Sequence, residues 1–200
     1  MNIFIKKLVL PLKEKFKISH SEFESLDHIL ISIEDKDIKA FGEIVPISFF
    51  NEPFERAINE AEKILSIYRE VLRNIEDIND VRKFILNLKD DKYLNCIQCG
   101  FEMVLLDYIG KINKKKIWEI LGLENPQKRV TPLTLPISNN FVTFNESLTN
   151  SSLIKIKLGG ESDIKYLKYV QENNKKKFIL DVNQGWTTEK IQAYAEYICL

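Results

Sequence analysis

The sequence contains no run of eighteen apolar residues, so it offers no membrane-spanning helix. Its opening stretch, Met1-Asn-Ile-Phe-Ile-Lys-Lys, lacks the long apolar core of a secretory leader. A cytoplasmic address and no membrane partner are therefore expected. Excess charge of one sign is missing too. The 29 Lys and Arg residues are matched by 29 Asp and Glu, leaving no overall field to favour a polyanion. The lysine runs at 114–116 and 175–177 carry no interleaved aromatics; they read as solvated surface, and no nucleic-acid partner is expected. Three cysteines, an odd count, argue against a disulfide framework. Cys96-Ile-Gln-Cys99 has C-x-x-C spacing, yet no second pair and no nearby His completes a zinc site, so core packing is expected in a stretch that reads as helix. His20 and His28 show no ligand spacing, and no internal repeat or low-complexity tract interrupts the chain.

What is present suffices for a sizeable buried core: 200 residues, 44% of them hydrophobic. Strand patterns cover residues 3–17, 26–34 and 38–45, with Asp35-Lys-Asp37 as the turn between the last two, so an antiparallel meander is expected. Helical periodicity then takes over. Residues 54–73 carry Ala57, Ile58, Ala61, Ile64, Leu65, Tyr68 and Leu72 on one stripe after the start signal Asn51-Glu-Pro53. Further helices are expected at 78–88, 93–111 and 117–121, the last stopped by Gly122. Strands followed by a block of helices describe an α+β domain over 1–123, and Glu124-Asn-Pro-Gln-Lys-Arg129 reads as a link. From 130 to 200 strand and helix alternate: strands at 130–138, 153–158 and 177–181, helices at 162–176 and 188–200.

Chemistry concentrates in 153–187. Leu-Ile-Lys-Ile-Lys-Leu-Gly-Gly and Phe-Ile-Leu-Asp-Val-Asn-Gln-Gly-Trp-Thr are two apolar runs that each end in polar residues. Alternation sends Lys155 and Lys157 to one face and Ile154, Ile156 and Leu158 to the other; Asp181 and Asn183 pair by the same rule. The intervening helical stripe makes the unit strand, helix, strand, which implies parallel pairing and places both polar pairs at strand carboxyl ends. Taken alone, Lys-x-Lys is ordinarily the wet face of a strand and Asp-x-Asn a turn or a helix cap. Together, in this context, they read as a site.

Lys155-x-Lys157 followed by Asp181-x-Asn183-Gln-Gly-Trp186 resembles the enolase superfamily in its muconate-lactonizing, mandelate racemase-like branch, and within it the dipeptide epimerases. Gly42-Glu43 with Pro46, and Phe101-Glu-Met-x-Leu-Leu-Asp107, resemble that family's scaffold. The resemblance implies an α+β capping domain followed by the first strands and helices of a (β/α) TIM-type barrel. It further implies Mg²⁺-dependent inversion of an α-carbon by proton abstraction through an enolate. Lys157 would be the base, Lys155 its cationic neighbour, Asp181 a metal ligand and Asn183 a group beside metal or substrate. The partner would be a small molecule, a dipeptide, with homo-oligomerisation left open. Ser21 falls where members that take acidic dipeptides often carry an Arg, with Glu22 and Glu24 beside it, so neutral or cationic dipeptides are expected. Cycloisomerase and o-succinylbenzoate synthase-like activities are the alternatives within the superfamily. Only about 70 residues follow the link, whereas an eight-stranded barrel takes about 250. The chain thus reads as the N-terminal part of a larger enzyme, inactive alone, or as a non-catalytic remnant serving binding or oligomerisation.

Overall fold

The computed structural model describes residues 1–19, 21–137, 151–173 and 177–198. His20, Ser138 at the end of one expected strand, Lys175 and Lys176, and residues 199–200 at the end of the last expected helix lie outside the described residues. The chain divides into two compact units, Met1–Leu10 with Ser25–Gln127, and Pro11–Glu24 with Lys128–Leu200.

A three-stranded sheet in the order β1 (Asn2–Ile18), β2 (Ser21–Asp35), β3 (Ile38–Ile44) opens the fold. Strand alternation has its expected outcome in β2: Ile29, Ile31 and Ile33 are fully buried while the residues between them are not. β2 and β3 pair antiparallel, Ile31 opposite Gly42 and Ile33 opposite Ala40, with Lys36 in the left-handed region (φ 54°) at their turn. Against this face pack α1 (Phe54–Ile67), α3 (Ile78–Asp90) and α4 (Asn95–Ile112), bringing Ala57, Ala61, Ile64, Val81, Phe84, Leu88, Ile97, Phe101 and Leu105 into one core. Gly42 is obligatory there, because a Cβ would run into the carbonyl of Gly100 and the backbone of Val104 on α4. α5 (Ile117–Ile120) is followed by Gly122 at φ 68°, the left-handed stop its position implies.

Two expectations for this unit need correction. The helix expected over 54–73 breaks at Tyr68 into α1 and α2 (Arg69–Arg73). Tyr68 stacks edge-on against Phe84 and its hydroxyl donates to Asp91 at 2.5 Å, long-range contacts that a periodicity does not reveal. Core packing holds for Cys96, which is buried, but not for Cys99, which is exposed on α4.

The second unit carries a parallel sheet in the order β4 (Leu133–Leu135), β5 (Leu153–Lys157), β6 (Lys177–Asp181). β4 is shorter than expected because Pro132 and Pro136, which have no N–H to donate, bracket it. α6 (Asp163–Asn173) crosses from β5 to β6 and sets Tyr166, Leu167 and Val170 against Ile154, Ile156 and Leu158. The expected final helix is two short ones, α7 (Thr188–Ala193) and α8 (Ala195–Ile198), parted at Tyr194, whose ring meets Trp186 edge-on at 5.1 Å. No described helix is long and apolar enough to cross a membrane.

Candidate active site

β5 and β6 are in parallel register with Lys157 opposite Asp181, the last residue of each strand. Ile154 and Ile156 are fully buried against α6, so alternation turns Lys155 and Lys157 to the other face. There both ammoniums close on one oxygen, Asp181 Oδ2, Lys155 Nζ at 2.6 Å and Lys157 Nζ at 2.7 Å. The three side chains are 32, 13 and 20% exposed respectively for Lys155, Lys157 and Asp181, so these pairs are only partly screened by water.

Asn183 joins them by a route other than strand alternation. β6 ends at Asp181, and Asn183 (φ 42°) and Gln184 (φ 66°) lie in a left-handed turn. That turn brings Asn183 Oδ1 to 2.7 Å from Lys157 Nζ, which donates to it. The Asn183 N–H donates to Asp181 Oδ1 at 3.2 Å, an Asx-type turn that orients the carboxylate. The Asn183 carbonyl accepts from Ser19 Oγ at 2.9 Å. Ser21, the residue singled out from the sequence, opens β2 and is half-buried. Glu22 and Glu24 are both countered by Lys15, at 3.7 and 2.5 Å.

Burial is the largest single influence on the Asp181 carboxyl and pushes it toward the neutral form. Hydrogen bonds from Lys155 and Lys157, the Asn183 N–H and the Lys157 charge together outweigh it, holding the group at about 2. At neutral pH Asp181 is therefore an anion, held between the Lys155 and Lys157 side chains. For Mg²⁺, the carboxylate is a hard oxygen donor of the right kind. Asp181 is the residue that would hold the ion, in competition with the two ammoniums. Among the described residues no group of three His, Cys, Asp or Glu side chains comes together that could hold a metal.

Sequence reasoning missed two contributors. Asp163, 2% exposed, accepts from the backbone N–H groups of Gly159 (2.9 Å) and Gly160 (3.0 Å) and from Trp186 Nε1 (2.6 Å). An Asp in the first turn of a helix signals only that helix's start. Ser19 was hidden in a loop, although Gly159 and Gly185 mark the place it packs: a Cβ on Gly185 would stand 2.8 Å from Ser19 Cβ.

No protein-family model matches the sequence. Among curated proteins it is similar to L-Ala-D/L-amino acid epimerases of Flavobacterium johnsoniae (23% identical over 192 residues, 95% of this chain and 56% of that one) and a Maribacter species (24% over 196 residues, 98% and 57%). Among solved structures it is similar to a dipeptide epimerase from Enterococcus faecalis complexed with Mg and L-Leu-L-Tyr (TM-score 0.78, 23% identity, 98% of this chain and 58% of that one). It is also similar to a muconate lactonizing enzyme from Pseudomonas fluorescens (TM-score 0.78, 20% identity, 98% and 56%). The chain spans little more than half the length of the curated relatives it matches, their N-terminal part. The fold is that of the enolase superfamily, a capping domain followed by strands of the barrel.

Proposed function

We propose that the chain is the part of a dipeptide epimerase that carries one of its two proton-transferring faces, in the cytoplasm where its free thiols Cys96 and Cys99 suit a reducing compartment. The observation behind this reading is the convergence of Lys155, Lys157, Asp181 and Asn183 at the carboxyl ends of neighbouring parallel strands. Lys157 is the base: its amine takes the α-proton, and the electron pair left on carbon moves into the adjoining carboxyl or carboxamide. Lys155, more exposed, binds and orients the substrate carboxylate by charge. Asn183 sets the position of the Lys157 Nζ, and Asp181 holds it as a fixed anion beside it. Mg²⁺, when bound, supplies positive charge to offset the negative charge that develops on the substrate oxygens. Inversion further requires a proton delivered to the opposite face, assigned here to the portion of the relatives' length that this chain does not span. Ser21, at the start of β2, offers no cation at the place where the resemblance puts an Arg in members that take acidic dipeptides, so neutral or cationic dipeptides are preferred over Ala-Glu.

Deuterium incorporation from D₂O into a dipeptide panel, with Mg²⁺, tests the reading on the 200-residue chain and on a version extended to its relatives' length. The extended protein is expected to exchange and invert the α-carbon, and the 200-residue chain to do neither at a measurable rate. An extended protein that leaves every dipeptide unexchanged while cyclising a muconate would move the assignment to a cycloisomerase, the second reading, which the equally good fit to a muconate lactonizing enzyme favours.

A further inference from the structure

Asp163 is 2% exposed; among the described residues no cation pairs its charge, and the donors aimed at it belong to turns that follow site residues. Gly159 and Gly160 follow Lys157 by two and three positions. Trp186 follows Asn183 by three. One oxygen, Oδ2, accepts from both turns at once, from Gly159 N–H at 2.9 Å and from Trp186 Nε1 at 2.6 Å. Charge-assisted bonds of this kind are about twice as strong as neutral ones, and removing the buried acceptor would leave three part-buried donors without it. The turns also meet directly, because a Cβ on Gly185 would stand 2.7 Å from Gly159 Cα. Only glycine at both places allows that approach.

We propose that Asp163 is a positioning residue that clamps the turn after Lys157 to the turn after Asp181, so that the base and its anionic and amide partners move as one body. The role in catalysis rests on the proposed function above; the clamp itself does not. Asp163 touches none of Lys155, Lys157, Asp181 or Asn183 through a hydrogen bond and acts on them only through the backbone. An ordinary first-turn aspartate would hold its own loop and nothing more. The clamp differs by reaching the second turn through the Trp186 indole.

Amide hydrogen exchange separates the two roles. Gly185 N–H donates to Val182 O at 2.7 Å within the second turn and reports on its integrity. Asp163→Ala is expected to speed exchange at Gly159, Gly160 and Gly185, by about ten- to a hundredfold, the factor matching loss of a charge-assisted hydrogen bond. Trp186→Phe removes the link alone and is expected to speed Gly185 while leaving Gly159 and Gly160 near the parent rates. Should Asp163→Ala fail to fold, Trp186→Phe decides by itself. Gly185 exchange that is unchanged in Trp186→Phe, or in a folded Asp163→Ala, overturns the clamp. In the protein extended to its relatives' length, Trp186→Phe, assayed well below its Tm, is expected to lower kcat about tenfold with KM unchanged, the pattern of a misplaced base. An unchanged kcat overturns the positioning role. An extended parent that epimerises no dipeptide sinks the functional reading instead, and Gly185 exchange still decides the clamp.

Discussion

Each unit buries a carboxylate, and the two are used differently. In the first, Glu52 accepts from Cys96 N–H at 3.1 Å, one of the donors left without an intrahelical partner at the start of α4. Glu60 does the same for Leu94 N–H at 2.9 Å. Behind them the core is closed and apolar. In the second unit, Asp163 gathers donors from two turns, and Asp181 gathers two ammoniums at the strand ends. The same chemical group finishes a scaffold in one place and gathers the candidate site in the other. Substitutions should therefore divide into those that cost stability and those that cost chemistry.

The sharpest break in that division is Lys157→Ala. In a protein spanning its relatives' length, loss of the base is expected to lower α-proton exchange from one enantiomer by about 10²–10⁴-fold, and to spare abstraction from the other. Stability should change by about 1–3 kcal/mol, because Asp181 keeps Lys155 but the part-buried bonds of Lys157 to Asp181 and Asn183 are lost. Single-turnover deuterium exchange on each enantiomer, with a urea denaturation curve, measures both. Equal loss from the two enantiomers would remove Lys157 from the role of a one-face base.

Phe84→Ala should show the opposite profile. The ring is 1% exposed and stacks edge-on against Tyr68 at 5.5 Å and Phe101 at 5.9 Å. Truncation is expected to cost about 3–5 kcal/mol, a large share of a typical folding free energy of about 5–15 kcal/mol. A urea midpoint that barely moves would mean that this core can collapse around the loss.

The glycines sharpen the comparison at smaller scale. Nothing lies within 4 Å of the place a Cβ on Gly122 (φ 68°) would take, so Gly122→Ala should cost only the left-handed penalty, about 1–2 kcal/mol. Gly159 (φ 118°) is crowded: its Cβ would stand 2.5 Å from Ser19 Cβ, 3.2 Å from Val182 O and 3.3 Å from Gly185 Cα. Gly159→Ala should cost about 1–3 kcal/mol beyond the Gly122 value. Paired thermal denaturation tests this, and equal costs would mean that the second unit yields where the geometry says it is tight.

Much of this was legible in the sequence because it follows from period and punctuation. Period-two burial in β2, the prolines and glycines that end elements, and the paired Lys155-x-Lys157 and Asp181-x-Asn183 all act within a few residues of one another. Parallel register then set Lys157 against Asp181. What escaped depends on partners far apart in the chain. Ser19 and Asn183 are separated by 164 positions, and no local pattern joins them. The break at Tyr68 is made by Phe84 and Asp91, and Asp163 shows its reach only once Trp186 is folded beside it. Asn183 reaches Lys157 through a left-handed turn and not through strand alternation.

The smallest expected effect lies at a helix end of the first unit. Asp77 caps α3: Oδ1 accepts from Asn79 N–H at 2.7 Å and Asp80 N–H at 3.0 Å, and Asp80 Oδ2 in return accepts from Asp77 N–H at 3.3 Å. The Asp80 N–H, followed by that of Asn79, stabilises the anion and holds the Asp77 carboxyl below its ordinary 3.8. A carboxyl depressed by folding contributes stability that is complete above its unfolded value and lost as pH falls through the folded one. Asn caps a helix as well as Asp does but does not titrate. Asp77→Asn should therefore match the parent near pH 7 and lose less stability than the parent as pH falls below about 4. Urea midpoints at pH 7, 4 and 3 check it. Parallel curves would show that the cap works as a dipole rather than as a charge, and that the acid sensitivity of this unit lies with other carboxylates.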